Sequence, residues 1–559
     1  MQIPGIDLAF ERLPMSLPVW RATVDRAQWL AAAQAVAGGG GRLVSLWGSD
    51  RRDTAEGCFV VSVALATGEG LAWLDLPLTD GVLLYPDLGT FFPCAVRLQR
   101  AVYDLLGIDP EGATDLRYWL NHGDWPGDFY PLRHECSGQE RLDDHEVVDY
   151  PFIKVEGDGV HEIPVGPVHA GIIEPGHFRF SIVGEKVLRL EERLGYKHKG
   201  IDKLFEKTPP NDGHRLAGRV SGDSTVAYAW AYCMALEALS GATPPPRAAW
   251  LRALLLERER VANHLGDLGA LGNDAAFAFG LAQFMCLKED WLRLNARLFG
   301  HRFAMDRIVP GGVAVDLDAA GGAALLEQCN QIEGEVRTLR RIYDDHAGLQ
   351  DRFVTLGKVL PKLATQLGLT GMAGRASGVA FDLRADFPVA PYDQLDVQMA
   401  THRNGDVAAR VIVRFEEIFE SLRLIRRLLH GLPEGGLRAD LAPPQGRFGA
   451  GWVEGWRGGV FVALEVDGER IRRCHCHDPS WQNWPVLEHA VIGDIVPDFP
   501  LINKSFNLSY AGHDRCCGKF SPRSPKRASV ASRRRLSGRR RASRPAASSR
   551  NCWPSSGGR

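Results

Sequence analysis

The last 45 residues of the chain cannot contribute to a hydrophobic core. Residues 515–559 hold 14 of the chain's 66 Lys and Arg residues, no acidic residue, and many Ser, Pro and Gly residues. Such a segment cannot bury enough apolar surface to offset the entropy lost on folding, so we predict a basic, disordered tail at residues 516–559. The fold must come from residues 1–514, whose 52 basic and 68 acidic residues give a net charge of −16.

Composition places the rest of the chain among ordinary globular proteins. The 559 residues exceed what one hydrophobic core usually supports, and the 45% hydrophobic and 24% charged fractions are typical of soluble proteins. The longest uncharged apolar run, residues 226–236, is shorter than the roughly 20 residues of a membrane-spanning helix. The first residues have no signal-peptide pattern. We therefore expect a cytoplasmic protein that reaches a membrane only through partner subunits.

The eleven cysteines form no disulfide framework for a chain of this size, so we expect reduced thiols. Residues 474–477, Cys-His-Cys-His, offer four metal donors but lack the spacers that let ligands converge around one ion. We interpret this run as a polar strand end with incidental thiols, and predict no metal site.

Residues 1–140 alternate strand-like and helix-like segments. β-Branched and aromatic residues recur at 42–47 and 58–65 between turns, and residues 98–106 have helical spacing. These patterns predict an N-terminal α/β domain, which an acidic linker at residues 141–160 follows.

A mainly helical domain is predicted for residues 161–515. Strand patterns lie near its two ends, at residues 177–191 and 452–473. The predicted fold class is therefore α+β, an α/β domain followed by a helical domain with small sheets at its start and end.

Two long helices form the predicted centre of this second domain. Pro246 can open the first, and Gly269 or Gly272 can close it. The second follows Asp406 as its N-cap and stops at Gly431.

Two short segments match the halves of one metal-binding pair. Residues 219–224, Arg-Val-Ser-Gly-Asp-Ser, match RxCGxC, and residues 507–515, Asn-Leu-Ser-Tyr-Ala-Gly-His-Asp-Arg, match DPCxxCxxR. All four cysteine positions have changed. They hold Ser221, Ser224, Ser509 and Gly512.

The paired motifs are the signature of nickel-iron hydrogenase large subunits, and the chain resembles that family. It is most similar to the energy-converting branch, of the hydrogenase 4 component G type, which fuses parts resembling the C and D subunits of complex I. Residues 102–133 resemble the C subunit, and residues 166–515 resemble the D subunit. Further matching segments are residues 166–169, 199–203, 256–260 with His264, 374–378 with 382–384, and Gly405-Asp406 with Arg410.

The resemblance implies an oxidoreductase subunit with several partners. These are an iron-sulfur small subunit similar to the complex I B subunit, a ferredoxin-like subunit, and antiporter-like membrane subunits. We expect no cofactor bound by this chain itself, an iron-sulfur cluster in the partner, and a quinone as one candidate electron acceptor. The chain would lie on the inner face of the cell membrane.

The position of the basic tail also bears on its origin. The family's C-terminal motif ends at Arg515, where the tail begins, so we favour a frame-shifted translation of GC-rich DNA. The alternatives are that the tail binds anionic lipid or that it binds nucleic acid. Of the possible partners of the whole chain, we expect no nucleic acid.

The four changed positions argue against nickel. Low-spin nickel and iron need polarisable thiolate ligands, and a serine hydroxyl that stays protonated near neutral pH is a poor substitute. Nickel-iron chemistry is therefore not expected. The same positions can instead line a small polar cavity that holds water or an organic group.

Candidate functional residues follow from the resemblance. Asp202 occupies the acidic RGxEK position that passes protons from the metal site, with pairing to Lys199 and Lys203 as the alternative. His169 and His177 match the loop and strand that border the quinone cavity of complex I. Arg219 and Asp514 are further candidates for the cavity wall.

Three hypotheses result. The first is a peripheral-arm subunit of a membrane-bound, complex I-like redox complex, in which electrons from an iron-sulfur partner drive ion translocation. The second is a catalytically silent scaffold of that complex, and the third is an active hydrogenase subunit.

Overall fold

Strands and helices alternate along the residues that the computed structural model describes, 1–140, 142, 149–168 and 174–513. The strands are β1 (Glu11–Arg12), β2 (Val19–Thr23), β3 (Arg42–Arg51), β4 (Cys58–Thr67), β5 (Gly70–Leu78), β6 (Leu84–Pro86), β7 (Asp109–Glu111), β8 (Val160–Val165), β9 (His177–Val183), β10 (Lys186–Arg193), β11 (Ile308–Val309), β12 (Gly312–Val313), β13 (Phe448–Glu454), β14 (Gly459–Asp467) and β15 (Arg470–His477). The helices are α1 (Arg26–Gly38), α2 (Ala95–Leu106), α3 (Ile201–Phe205), α4 (Gly213–Ala217), α5 (Thr225–Ser240), α6 (Pro246–Asp274), α7 (Ala278–Phe299), α8 (Ala319–Asp345), α9 (Ala347–Phe353), α10 (Pro361–Gln366), α11 (Gly371–Ala376), α12 (Leu383–Asp386), α13 (Val407–His430), α14 (Ser480–Ala490) and α15 (Phe499–Phe506). The mixture confirms the α+β class.

A five-stranded sheet organises the N-terminal residues. Its order is β1-β2-β5-β4-β3, antiparallel except for the β2–β5 pair. The strands β3 and β4 are buried along most of their length, because the sheet is covered on both faces. One face packs on α1 and α2, and on the other Trp47 lies 5.8 Å from Phe461 of β14. The predicted strands and helix are all present, each slightly longer than expected.

Two three-stranded antiparallel sheets flank the helical body. One has the order β10-β9-β8 and the other β13-β14-β15, which confirms the strand patterns at residues 177–191 and 452–473. The tight turn at Asp467-Gly468 joins β14 to β15, where Gly468 has a φ of 57°.

The two long helices begin as predicted, but one of them ends later. Pro246 is the first residue of α6, and Asp406 caps α13 by accepting the Ala409 N–H at 2.8 Å. However, α6 continues past Gly269 and Gly272, so the prediction that either glycine closes it was wrong. A Cβ at Gly269 would lie 3.0 Å from the Phe284 Cβ, so this glycine serves close packing against α7.

Buried charged side chains fill the space where α6, α12 and α13 meet. Arg384 donates two hydrogen bonds to the Asp382 carboxylate, at 3.0 and 2.6 Å, and another to Glu257 at 3.1 Å. Arg375 lies 2.7 Å from Glu417 of α13 and 2.8 Å from a carboxylate of β13. We name these five residues with Arg260, His264 and Glu454 the charge cluster, and all eight are almost completely buried.

The arginines favour the ionised form of three acids of the charge cluster, Asp382, Glu257 and Glu417, whereas burial raises the pKa of the fourth, Glu454. Burial alone would raise the pKa of Asp382, but Arg384 and Arg375 lower it well below its usual range. The pKa of Glu257 is lowered in the same way, against burial, by Arg384 and Arg260. Asp382 is thus the bidentate partner of Arg384, whereas Asp406 serves as a helix cap.

Replacing Arg384 by Met should lower the free energy of unfolding by about 3–5 kcal/mol, because Glu257 and Asp382 would remain buried without their cation. Urea denaturation followed by circular dichroism measures the loss. Arg293→Met is the matched control, since Arg293 forms an exposed i,i+4 pair with Glu289 at 2.9 Å and should contribute less than about 1 kcal/mol. Equal losses in the two variants would contradict this account.

Candidate functional site

The two degenerate motifs meet in space. The Ser221 and Ser509 hydroxyls are 2.9 Å apart although 288 positions separate them in sequence. Ser221 precedes the turn that leads into α5, and Ser509 follows α15, after Asn507 with a φ of 45°. The ends of two helices therefore bring the serines together in the interior, where each is at most 4% exposed.

A directed chain of hydrogen bonds runs through these serines. The Gly512 N–H donates to the Ser509 hydroxyl at 3.1 Å, and the Ser221 hydroxyl donates to the Asp223 carboxylate at 2.8 Å. Because Ser221 uses its proton on Asp223, Ser509 must be the donor in the bond between the two serines. The last acceptor in this series of hydrogen bonds is the Asp223 carboxylate, and an ionised acceptor makes a hydrogen bond stronger.

Arg457 completes this polar site, and no sequence signal pointed to it. Its guanidinium donates to both Asp223 oxygens, at 2.8 and 2.5 Å, and lies 3.4 Å from the Ser224 hydroxyl. Burial opposes ionisation of Asp223, but Arg457 lowers the pKa of this carboxyl to about 2. Asp223 and Arg457 therefore form an ion pair that contacts Ser221 and Ser224 of the first motif. We name Ser221, Asp223, Ser224, Arg457, Ser509 and Gly512 the serine site.

Gly512 closes the serine site on its other side. A Cβ built on Gly512 would lie 2.7 Å from the Asp478 Cβ, which is closer than real side chains approach. Asp478 is itself held in place, since it accepts the Tyr228 hydroxyl at 2.7 Å. There is no space at position 512 for any side chain, including a cysteine, unless Asp478 moves.

The structure places Asp202 away from its sequence neighbours. Its carboxylate lies 3.2 Å from Arg473 of β15, while Lys203 pairs with Glu206 at 2.8 Å and Lys199 donates to the Val220 carbonyl at 2.6 Å. The alternative prediction, pairing with Lys199 and Lys203, was wrong. The two lysines that are near Asp202 in sequence contact other groups, and Arg473 of the distant strand β15 is its cationic partner.

Asp202 borders a small internal cavity of about 30 Å³. Arg473, His475 and His513 also line it, and His513 directly follows Gly512 of the serine site. A cavity of this size holds one water molecule. It lies between the candidate acid and the second motif.

Buried histidines of β15 connect the N-terminal sheet to this region. The Ser45 hydroxyl lies 2.8 Å from His475 Nε2 and 3.0 Å from His477 Nδ1. Residues 474–477 do form the end of β15, as interpreted from the sequence, and all four are buried. The two thiols, Cys474 and Cys476, are 3.9 Å apart.

His177 and Arg219 are not part of the serine site. His177 begins β9, where its Nδ1 is 3.2 Å from the Gly166 carbonyl, and burial lowers its pKa. Arg219 pairs with Asp306 through two contacts, at 2.7 and 2.8 Å. His169 and Asp514 lie outside the described residues.

Among the described residues, one group of three side chains has metal-ligand spacing, namely Asp50, His134 and Glu135. Arg52 already lies 2.6 Å from Asp50 and 2.5 Å from Glu135, so a guanidinium balances both carboxylates. This surface group therefore carries no metal assignment.

Glu259 of α6 faces the start of α5, next to the serine site. Its carboxyl accepts the Val226 and Ala227 N–H groups at 2.8 and 3.3 Å. Burial dominates and the nearby Asp223 adds to it, so the pKa of Glu259 rises to about 8. Glu259 is a proton-holding group at neutral pH that the sequence did not reveal.

Comparison with known proteins identifies the family. Residues 274–446 match the model of the respiratory-chain NADH dehydrogenase 49 kDa subunit, and residues 22–141 match that of the 30 kDa subunit. Formate hydrogenlyase subunit 5 of Escherichia coli (strain K12) is 31% identical over 85% of each chain. Hydrogenase-4 component G of the same strain is 32% identical over 85% of this chain and 84% of that protein. The chain belongs to this family of fused complex I-like and hydrogenase subunits.

A solved structure supports the family's fold. The chain is similar to one from the membrane-bound sulfane sulfur reductase, an archaeal respiratory membrane complex, with a TM-score of 0.60 and 26% sequence identity. The match covers 64% of this chain and 99% of that one. In the part of this family member that the structure describes, no helix has the length and apolarity of a membrane span.

The raised pKa of Glu259 predicts a pH-dependent stability in this family member. Between about pH 4.5, the ordinary value, and about pH 8, the folded protein keeps a proton that the unfolded chain releases. Stability should therefore fall across this window as the pH rises. Glu259→Gln removes the titration, so its melting temperature should approach that of the wild type at pH 5 and exceed it by several degrees at pH 8.5.

Glu257→Gln is the matched control, two residues away on the same helix. Its pKa is lowered rather than raised, so this variant should melt below the wild type at pH 8.5. Thermal melts at pH 5, 7 and 8.5 measure both. A wild-type advantage over Glu259→Gln at pH 8.5 would contradict the assignment of a protonated Glu259.

Proposed function

We propose that the chain is a peripheral subunit of a membrane-bound, complex I-like oxidoreductase complex, which works without nickel-iron chemistry. It would accept electrons from an iron-sulfur small subunit and couple their arrival to ion translocation by antiporter-like membrane subunits. A ferredoxin-like subunit would supply the electrons, and a quinone is a candidate acceptor. The observation that supports the proposal is the serine site, in which the two motif segments meet with hydroxyls at positions where the motifs of the family carry thiolates.

The donor set of the serine site does not fit a nickel-iron centre. Three neutral hydroxyls and a glycine replace four thiolates, and soft metals bind hydroxyl oxygen poorly. Asp223, the carboxylate next to these positions, is already paired with Arg457 through both of its oxygens, so it is not free to bind a metal. We therefore derive no step through nickel or iron at this site.

Proton movement is the chemistry that these residues support best. Asp202, the internal cavity and His513 lead toward the serine site, where hydroxyls and carboxyls can exchange protons along hydrogen bonds. Attachment to the membrane through partners is consistent with the similarity to a chain of the membrane-bound sulfane sulfur reductase.

A silent scaffold is the second candidate, and one observation favours it. Asp223 is fully engaged by Arg457, and Ser221 and Ser509 are hydrogen-bonded to each other. A site whose polar groups satisfy each other in this way can be purely structural.

Elemental analysis of the purified complex should find less than about 0.1 nickel atom per chain, because the site offers no thiolate. Iron in the same digest serves as the internal control, since it reports the iron-sulfur partner. Hydrogen uptake with viologen dye should stay at background. Stoichiometric nickel together with hydrogen uptake would overturn the proposal in favour of an active hydrogenase.

Asp202→Asn should reduce quinone-dependent turnover of the complex at least tenfold, because an amide cannot pass a proton. Asp212→Asn is the control, since Asp212 is exposed and makes only a long contact with Arg215, at 3.9 Å. Co-purification of the partners confirms assembly in both variants. Unchanged turnover in Asp202→Asn would instead support the scaffold.

A further inference from the structure

A separate cleft of about 500 Å³ opens between the N-terminal sheet and α12. One wall is the end of α1, the glycine loop at residues 38–41 and Arg42. The opposite wall is formed by Phe381, Asp386 and Phe387. The volume is that of a typical small-molecule site, and the serine site contributes no residue to it.

Arg42 is the cationic group of this cleft, and it forms no ion pair within the part of the chain that the structure describes. Its guanidinium carbon lies 3.4 Å from the centre of the Phe381 ring. Within the described part of the chain, the Arg42 side chain makes no hydrogen bond or salt bridge. The face of the guanidinium is thus occupied, and its N–H edge remains available for a ligand.

The acids near Arg42 do not neutralise it by contact. Asp386 accepts the Asp382 N–H at 2.8 Å, and Glu69 lies 3.4 Å from the amino group of Met1. Burial lowers the pKa of Arg42 to about 10, although Glu454 and Asp386 raise it. Arg42 therefore stays cationic at neutral pH, and the nearby acids do not fully neutralise its positive charge.

The aromatic wall is firmly supported. The Phe381 and Phe387 rings are 6.3 Å apart and tilted by 55° to each other, and both pack on Trp452, at 5.9 and 6.3 Å. Because Arg42 covers one face of Phe381, the partly buried Phe387 is the ring against which a planar apolar group can pack. Across the cleft, a Cβ at Gly40 would meet no atom within 4 Å, so the glycine loop leaves the ligand room.

We propose that this cleft binds a small organic anion, made of a flat ring that carries a carboxylate or phosphate group. The acid group pairs with the N–H edge of Arg42 in the bidentate manner that guanidinium favours. The ring lies against Phe387, beside the stacked pair of Arg42 and Phe381. Aromatic carboxylates and nucleoside monophosphates share this chemistry.

Isothermal titration calorimetry on the full chain tests the proposal with four probes. Benzoate and AMP carry both ring and anion, whereas acetate and inorganic phosphate carry the anion alone. Benzoate or AMP should bind at least tenfold more tightly than acetate and phosphate. Tighter binding of benzoate identifies a carboxylate ligand, and tighter binding of AMP identifies a nucleotide.

Two variants locate the binding. Arg42→Gln should weaken the preferred probe at least tenfold, and Phe387→Ala, at the cleft rim, should weaken it at least threefold. Arg12→Gln is the matched control, because Arg12 also stacks on an aromatic ring of the N-terminal sheet, 5.8 Å from Trp20, but lies outside the cleft. If Arg42→Gln fails to fold, Phe387→Ala decides alone. Equal affinity of all four probes, no binding, or full affinity in the folded cleft variants would overturn the proposal.

Discussion

The helical body depends on charges that cannot be left unpaired. The charge cluster draws its members from α6, α11, α12 with its N-cap Asp382, α13 and β13. Removing one buried ion from such a set is costly, so these elements can only pack where every charge meets its counter-ion. Hydrophobic contacts alone tolerate small shifts between helices, whereas this pairing fixes one arrangement.

The charge cluster also positions the serine site. Arg260 of α6 donates to the Glu454 and Gly455 carbonyls at 2.6 and 3.0 Å, which anchors the turn between β13 and β14. That turn carries Arg457, three residues after Glu454. The ion pair with Asp223 is thus a consequence of how the interior charges set the sheet against α6, and not an isolated surface contact.

Local sequence signals were sufficient for the elements but not for the partners of the charged residues. Pro246 and Asp406 act on backbone groups within three residues, so their roles can be predicted from sequence alone. Arg457 lies 234 positions from Asp223, and Ser45 lies 430 from His475. Nothing in a single sequence records such pairings, which is why the neighbouring lysines were wrongly weighed as partners of Asp202. The motif positions were an exception, because the resemblance supplied two distant segments at once.

The serine site differs from a thiolate site by more than its four changed residues. Cysteines at 221, 224 and 509 would still lie beside an Asp223 whose carboxylate is bonded to Arg457. A cysteine at 512 would collide with Asp478, whose carboxylate is held by Tyr228. The surroundings of the site therefore fit the three serines and the glycine that the chain carries, and the fit is tightest at position 512.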